Sequence, residues 1–237
     1  MGKGITYIEV KALVHSIFGT ELRTLAEAVY LYDSMFKAGS NSEVDSIKLL
    51  IVLNTAEPTA LVGVKKSHES LVRKVKNRCE VQYQIFSVEP MLSSLDIFPI
   101  EFLELSFSRD LVIGRDILAD VTIGSANLRQ ECEFYLRTHV LKLKEGFVRS
   151  SMSNSELIRA SFPFILSIFK YLLTLLGQEK SKSSTESITV LAERLNFRAS
   201  VFSDILRDIN SPECGVHLFD YISELESITV QVDQMNG

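Results

Sequence analysis

Two short apolar runs constrain this chain most: Ala28–Tyr32, and Ile-Lys-Leu-Leu-Ile-Val-Leu from Ile47 to Leu53. Both are rich in residues that pack well on a pleated surface. Gly39, Ser40, Asn41 and Ser42 break the chain between them. Such a pattern predicts two neighbouring strands. A third run, Val81–Phe86, alternates apolar and polar residues as a half-buried strand does. The front of the chain is therefore expected to build a mixed sheet.

Helices are expected around that sheet. Glu9–Phe18 places Val10, Leu13, Val14, Ile17 and Phe18 at helical spacing, with Gly19 as its end. Pro58–Arg78 reads as a helix carrying the one basic cluster of note, Lys65, Lys66, Arg73, Lys74, Lys76 and Arg78. A solvated face explains that cluster; a phosphate or RNA contact is the functional alternative. Glu89–Ser94 reads as a short helix or turn. Leu103–Ser106 and Leu111–Ile113 are expected to add strand pairing.

The second half changes period. Leu128, Cys132, Tyr135, Leu136, His139, Val140, Leu143 and Phe147 recur at three and four, while Arg129, Glu133 and Arg137 line another face. Ser155–Leu176 reads as a second long helix bent at Pro163. Within it, the apolar run from Phe162 to Leu176 falls short of the roughly 20 residues a bilayer needs. Ser187–Leu195, Ala199–Ile209 and His217–Val232 complete a helical bundle, after a polar loop over 178–185. The fold class is therefore α+β. A mixed sheet with flanking helices fills residues 1–122, and an all-α bundle fills 123–237.

Composition bounds the function. The chain has 237 residues, 46% of them apolar and 23% charged, enough to bury a real core. A net charge of −5 argues against broad nucleic-acid binding, which needs a basic footprint. Cys79, Cys132 and Cys214 are far apart and odd in number, so they suggest neither a disulfide framework nor a metal site. His15, His68, His139 and His217 are equally scattered. No basic-then-apolar leader opens the sequence. A reducing, cytoplasmic setting without a membrane is expected.

The region around the first two strands resembles a nucleotidyltransferase domain of the polymerase-beta superfamily. In that family one strand ends in Gly-Ser, and a nearby strand opens with acid-apolar-acid. Acids two apart on a strand share a face, so both reach the same magnesium ions. The metals neutralise charge on the transferring phosphoryl group. Here the glycine position is Asp33 and only Ser34 matches, so Ser34 is the candidate nucleotide contact. The paired positions fall on Ser46 and Lys48, neither a magnesium ligand. The third-strand acid is missing from Val81–Phe86, with Glu80 just before it. The resemblance extends over Asp96–Glu104, Leu111–Leu118 and Asn127–Arg137, which look like an uncharacterised bacterial group of nucleotidyltransferase-like proteins.

The resemblance implies a catalytically inactive protein that binds or regulates, with no catalytic residue and no cofactor. A second register keeps the chemistry. Glu43-Val44-Asp45 is itself acid-apolar-acid, so Glu43 and Asp45 become catalytic metal ligands for magnesium and a nucleoside triphosphate. That enzyme moves a nucleoside monophosphate to a small molecule or protein. By analogy with related transferases, a homodimer is expected, with a nucleotide or a protein as further partner.

Overall fold

The computed structural model describes residues 5–32, 43–44, 46–55, 57–76, 79–178, 183–211 and 213–235. The chain divides into two compact units, Met1–Thr122 and Ile123–Gly237.

The first unit opens with α1 (Tyr7–Glu21). Thr6 caps it: its hydroxyl accepts from the Glu9 N–H, and the Glu9 carboxylate accepts from the Thr6 N–H. This reciprocal pairing satisfies two donors that a helix start leaves over. Gly19 does not end the helix, contrary to the sequence expectation; the turn continues to Glu21 because Phe18 and Leu22 are both buried. Next come β1 (Ala26–Tyr32), β2 (Ser46–Leu53), α2 (Pro58–Val75) and β3 (Glu80–Ser87). They are followed by α3 (Val88–Ser93), α4 (Pro99–Ser108) and β4 (Arg109–Gly114).

The strands form one sheet in the order β3-β2-β1-β4. β1 runs antiparallel to β2 and to β4, while β2 and β3 are parallel, joined through α2. The mixed sheet expected from the runs is present, with the first two strands as neighbours. Leu103–Ser106 is the correction: it lies within α4, not in a strand. Ile100, Phe102, Leu103 and Leu105 fall at helical spacing and are all buried, and Pro99 opens the helix at its first turn.

Alternation sorts the sheet into two faces. On one, Val29, Leu31, Ile47, Leu49, Ile51 and Leu53 pack with Val10, Val14 and Phe18 of α1 and Val64, Leu71 and Val75 of α2. The other carries Tyr30, Leu50 and Val52, and in the same register Gln82, Gln84 and Phe86 of β3. Phe86 meets Phe102 of α4 with ring centroids 6.2 Å apart.

The second unit is helical: α5 (Ser125–Arg149), α6 (Asn154–Leu175), α7 (Ser184–Leu195), α8 (Ala199–Asp208) and α9 (Leu218–Asp233). α5 packs on α6 and α9, and α6 on α7. Arg129 and Arg137 both bond Glu133, at 3.0 and 2.7 Å, the pairing their spacing foretold. α6 runs on through Pro163. Counted over its full length, it is long and apolar enough to cross a membrane, which the shorter run from Phe162 was not; half of its apolar window is buried inside the structure. Ile158, Phe162, Ile165, Phe169 and Leu172 supply that buried side.

His139 of α5 stacks on Phe164 at 4.9 Å, and its buried Nε2 has no hydrogen-bond partner. Burial first, and the Lys142 charge second, push the ring down to about 4. The unfolded chain takes up a proton near pH 6.5 that the folded chain refuses until about pH 4. Stability from this residue is therefore complete above pH 6.5 and is lost as pH falls toward 4. Allowing for partial solvent access, the loss should be about 1–2 kcal/mol. Urea titrations at pH 7.5 and 4.5 check it: His139→Leu should show a shallower decline than the parent, and an unchanged decline refutes the assignment.

Candidate functional site

The candidate site lies where β2 and β3 begin, on the face away from α1 and α2. Ser46 and Lys48 point to that face because Ile47 and Leu49 fill the core on the other. Both are half-buried. In the parallel register Glu80 sits opposite Ser46, and Gln82 opposite Lys48. Among the described residues, this end of the sheet thus carries an ammonium, a hydroxyl and an amide, with one exposed carboxylate at the strand start.

Glu43 stands elsewhere. Its backbone bridges Thr6, ahead of α1, and the next residue, Val44, donates its N–H to the Ile5 carbonyl at 2.9 Å. Val44 is buried against the α1 side, and Glu43 is exposed. Asp33, Ser34 and Asp45 lie outside the described residues. Among the described residues no three His, Cys, Asp or Glu side chains group so as to hold a metal.

A second cluster borders the same face, and sequence reasoning missed it. Arg109 of β4 grips Asp116 with two bonds, Nε to Oδ1 at 3.1 Å and Nη2 to Oδ2 at 3.0 Å. The Tyr30 hydroxyl donates to Asp116 at 3.1 Å and accepts from the Ile117 N–H at 2.8 Å. Burial, with the Asp116 charge next, pushes Tyr30 up to about 12. Burial alone would raise Asp116, but the Arg109 bonds and charge hold it below its usual value. A neutral phenol, a carboxylate and a guanidinium so arranged are mutually satisfied. They fasten the loop after β4 to the sheet and leave no group poised for chemistry.

On the opposite face, Asp110 takes a hydrogen bond from the Tyr7 hydroxyl and two from Lys11 Nζ, at 2.7 and 2.9 Å. Burial first, then Asp110, raises the Tyr7 phenol above its ordinary range. This trio ties α1 to β4 and is likewise structural.

The third feature is a cleft of about 260 Å³ along β3 and α4. Gln84, Ile85, Phe86, Phe98, Glu101, Phe102 and Leu105 line it. Glu101 Oε2 is shielded from solvent and accepts no hydrogen bond.

Comparison with known proteins adds the fold. The chain is similar to the spectinomycin adenyltransferase AAD(9) of Enterococcus faecialis, solved with ATP and spectinomycin, at a TM-score of 0.53. The fold is nucleotidyltransferase-like. The match spans 96% of this chain and 99% of that one, so both units take part, at 12% sequence identity. No family model and no curated protein matches the sequence.

Proposed function

We propose that this protein holds a nucleotide on a nucleotidyltransferase-like fold without metal-assisted transfer, and acts by binding. One observation carries the reading: Ser46 and Lys48 occupy the two same-face positions at the start of β2, where the family resemblance places its paired acids. A magnesium ion beside the Lys48 ammonium is opposed by like charge in a partly buried setting, where such repulsion is costly. The ammonium itself is a point charge suited to phosphate oxygens. Glu80, exposed at the start of β3, is the one carboxylate opposite this pair in the register among the described residues, and a single acid makes a poor magnesium site. The ATP of the structural neighbour makes a nucleoside triphosphate the first ligand to test.

Calorimetric titration of ATP with and without magnesium tests the proposal. Binding should be no tighter with the metal, and adenylyl transfer to small acceptors should be undetectable. Lys48→Ala should weaken triphosphate binding roughly tenfold, equivalent to about 1.4 kcal/mol, with the fold intact. Glu43→Ala and Asp45→Ala should leave binding unchanged. Magnesium-dependent binding that both acid variants abolish overturns the proposal and restores an active transferase using Glu43 and Asp45.

A further inference from the structure

The outer face of α5 and α9 is apolar where a solvated helix pair is normally charged. The two helices run antiparallel. Arg137 reaches Asp233, Lys144 bonds Glu226 at 2.6 Å, and the rings of Phe147 and Phe219 lie 5.1 Å apart. On this face Leu141 is 66% exposed, Val148 79% and Phe219 61%, and Phe147, Met152 and Val230 are uncovered as well. Leu141 and Val148 are one heptad apart, so they stand in one row along α5. Ser223 and Ser227 continue the exposed row of α9 between Phe219 and Val230, and such small side chains let another helix come close. The charges on the face are countered within it: Arg137 by Asp233 and Lys144 by Glu226 across the groove, Glu145 by Arg149 along α5.

At these exposures the six apolar side chains offer roughly 600 Å² to water, the upper end for an apolar patch on an ordinary monomer. The serines and paired charges between them bring the face close to the roughly 800 Å² per partner of a standard interface. A core low in unpaired charge is what such interfaces share. The cations here are matched by acids, so the face has no basic surplus to draw it to an anionic membrane.

We propose that this face joins two copies of the chain into a symmetric dimer through α5 and α9. A two-fold axis between Lys144 and Glu145 sets the α5 helices antiparallel, and the face is then complementary to itself. Leu141 meets Val148 of the second copy, and Lys144 comes beside its Glu145. The groove of about 420 Å³ between Leu141 and Val230 takes Phe219 of the second copy, a large side chain against small ones. Phe134 falls past the end of the second copy's α5, which stops at Arg149, and stays outside the seam.

Sedimentation equilibrium of the full chain tests the proposal. The parent should be a dimer at micromolar concentration. Leu141→Glu and Val148→Glu set a charge against an apolar partner, and each should raise the dissociation constant by about tenfold or more with helical circular dichroism unchanged. Leu61→Glu, on the exposed side of α2, should leave the dimer intact. Oxidative cross-linking checks the axis, in a Cys79→Ser, Cys214→Ser background. A mixture of the Leu141→Cys and Val148→Cys chains should link, and neither should link alone. If a Glu variant does not fold, the Cys variants carry the test. A dimer that survives both Glu variants overturns the proposal, as does linkage of either Cys variant alone as fast as the mixture. A monomeric parent overturns it too, whether or not that monomer floats with phosphatidylcholine vesicles as a lipid-binding face would.

Discussion

Gly114→Ala should destabilise the N-terminal unit by about 3 kcal/mol or more. Gly114 ends β4 with φ +85°, a region that side chains rarely enter. It also pairs with Ala28 across the β1–β4 ladder. A Cβ there would lie 1.9 Å from the Glu27 carbonyl oxygen and 2.8 Å from its carbon. Those are backbone atoms, so no side chain can swing aside to relieve the contact. The same carbonyl accepts from the Arg115 N–H at 3.1 Å, so a shift of β4 breaks that bond as well. Gly177 is the natural control: its φ is +66°, but a methyl added there would meet nothing within 4 Å. Gly177→Ala should cost only the left-handed strain, about 1 kcal/mol. Urea unfolding of both variants measures the difference. Equal costs would show that the clash, not the φ angle, had been misjudged.

The second large effect belongs to the helical unit. Phe202 of α8 is fully buried, and its ring sits 5.1 Å from Phe169, 5.1 Å from Phe197 and 5.8 Å from Tyr221. These partners come from α6, the turn after α7, and α9, so one ring locks four segments together. Phe202→Ala should cost about 3–5 kcal/mol, the transfer energy of the ring plus the cavity left among rigid neighbours. Phe134 is equally large but 62% exposed on α5, and its truncation should cost under about 1 kcal/mol. Thermal or urea unfolding followed by circular dichroism compares the two. Similar costs for both would refute the view that this aromatic cluster organises the unit. Because a few kilocalories is a large share of a domain's net stability, Phe202→Ala should also raise susceptibility to proteolysis.

Both effects stem from packing, and they mark how far the sequence could be read. The strands at Ile47–Leu53 and Val81–Phe86 were legible because alternation and apolar runs report burial within a few residues. The helices of the second half were legible for the same reason, from recurrence at three and four. Leu103–Ser106 failed because Leu-Glu-Leu-Ser alternates apolar and polar as a strand does, over a window too short to separate that pattern from one helical turn. The buried set at 100, 102, 103 and 105 settles the matter only once the surrounding structure shows which side is covered.

The candidate site divides in the same way. That Ser46 and Lys48 share a face follows from the period of a strand, so the sequence alone put an ammonium and a hydroxyl at that place. What stands opposite them did not follow. β3 could have joined either edge of the sheet, and only the parallel register with β2 sets Gln82 against Lys48. The bonds of Tyr30 and Arg109 to Asp116 left no local trace: Tyr30 and Asp116 are 86 residues apart, and each is unremarkable where it stands. The unpartnered oxygen of Glu101 was equally hidden, since a glutamate in the first turn of a helix is ordinary until its surroundings exclude water.

By itself, then, the sequence determined the α+β class, most of the secondary elements and the residues at the start of β2. These depend on patterns that repeat within one turn or one strand. The tertiary structure decided the strand order, the backbone approach that makes Gly114 irreplaceable, the polar bracing of the β4 loop and the lining of the cleft. Each of those joins residues far apart in the chain, where the energy comes from contacts and excluded water that no short window of sequence records.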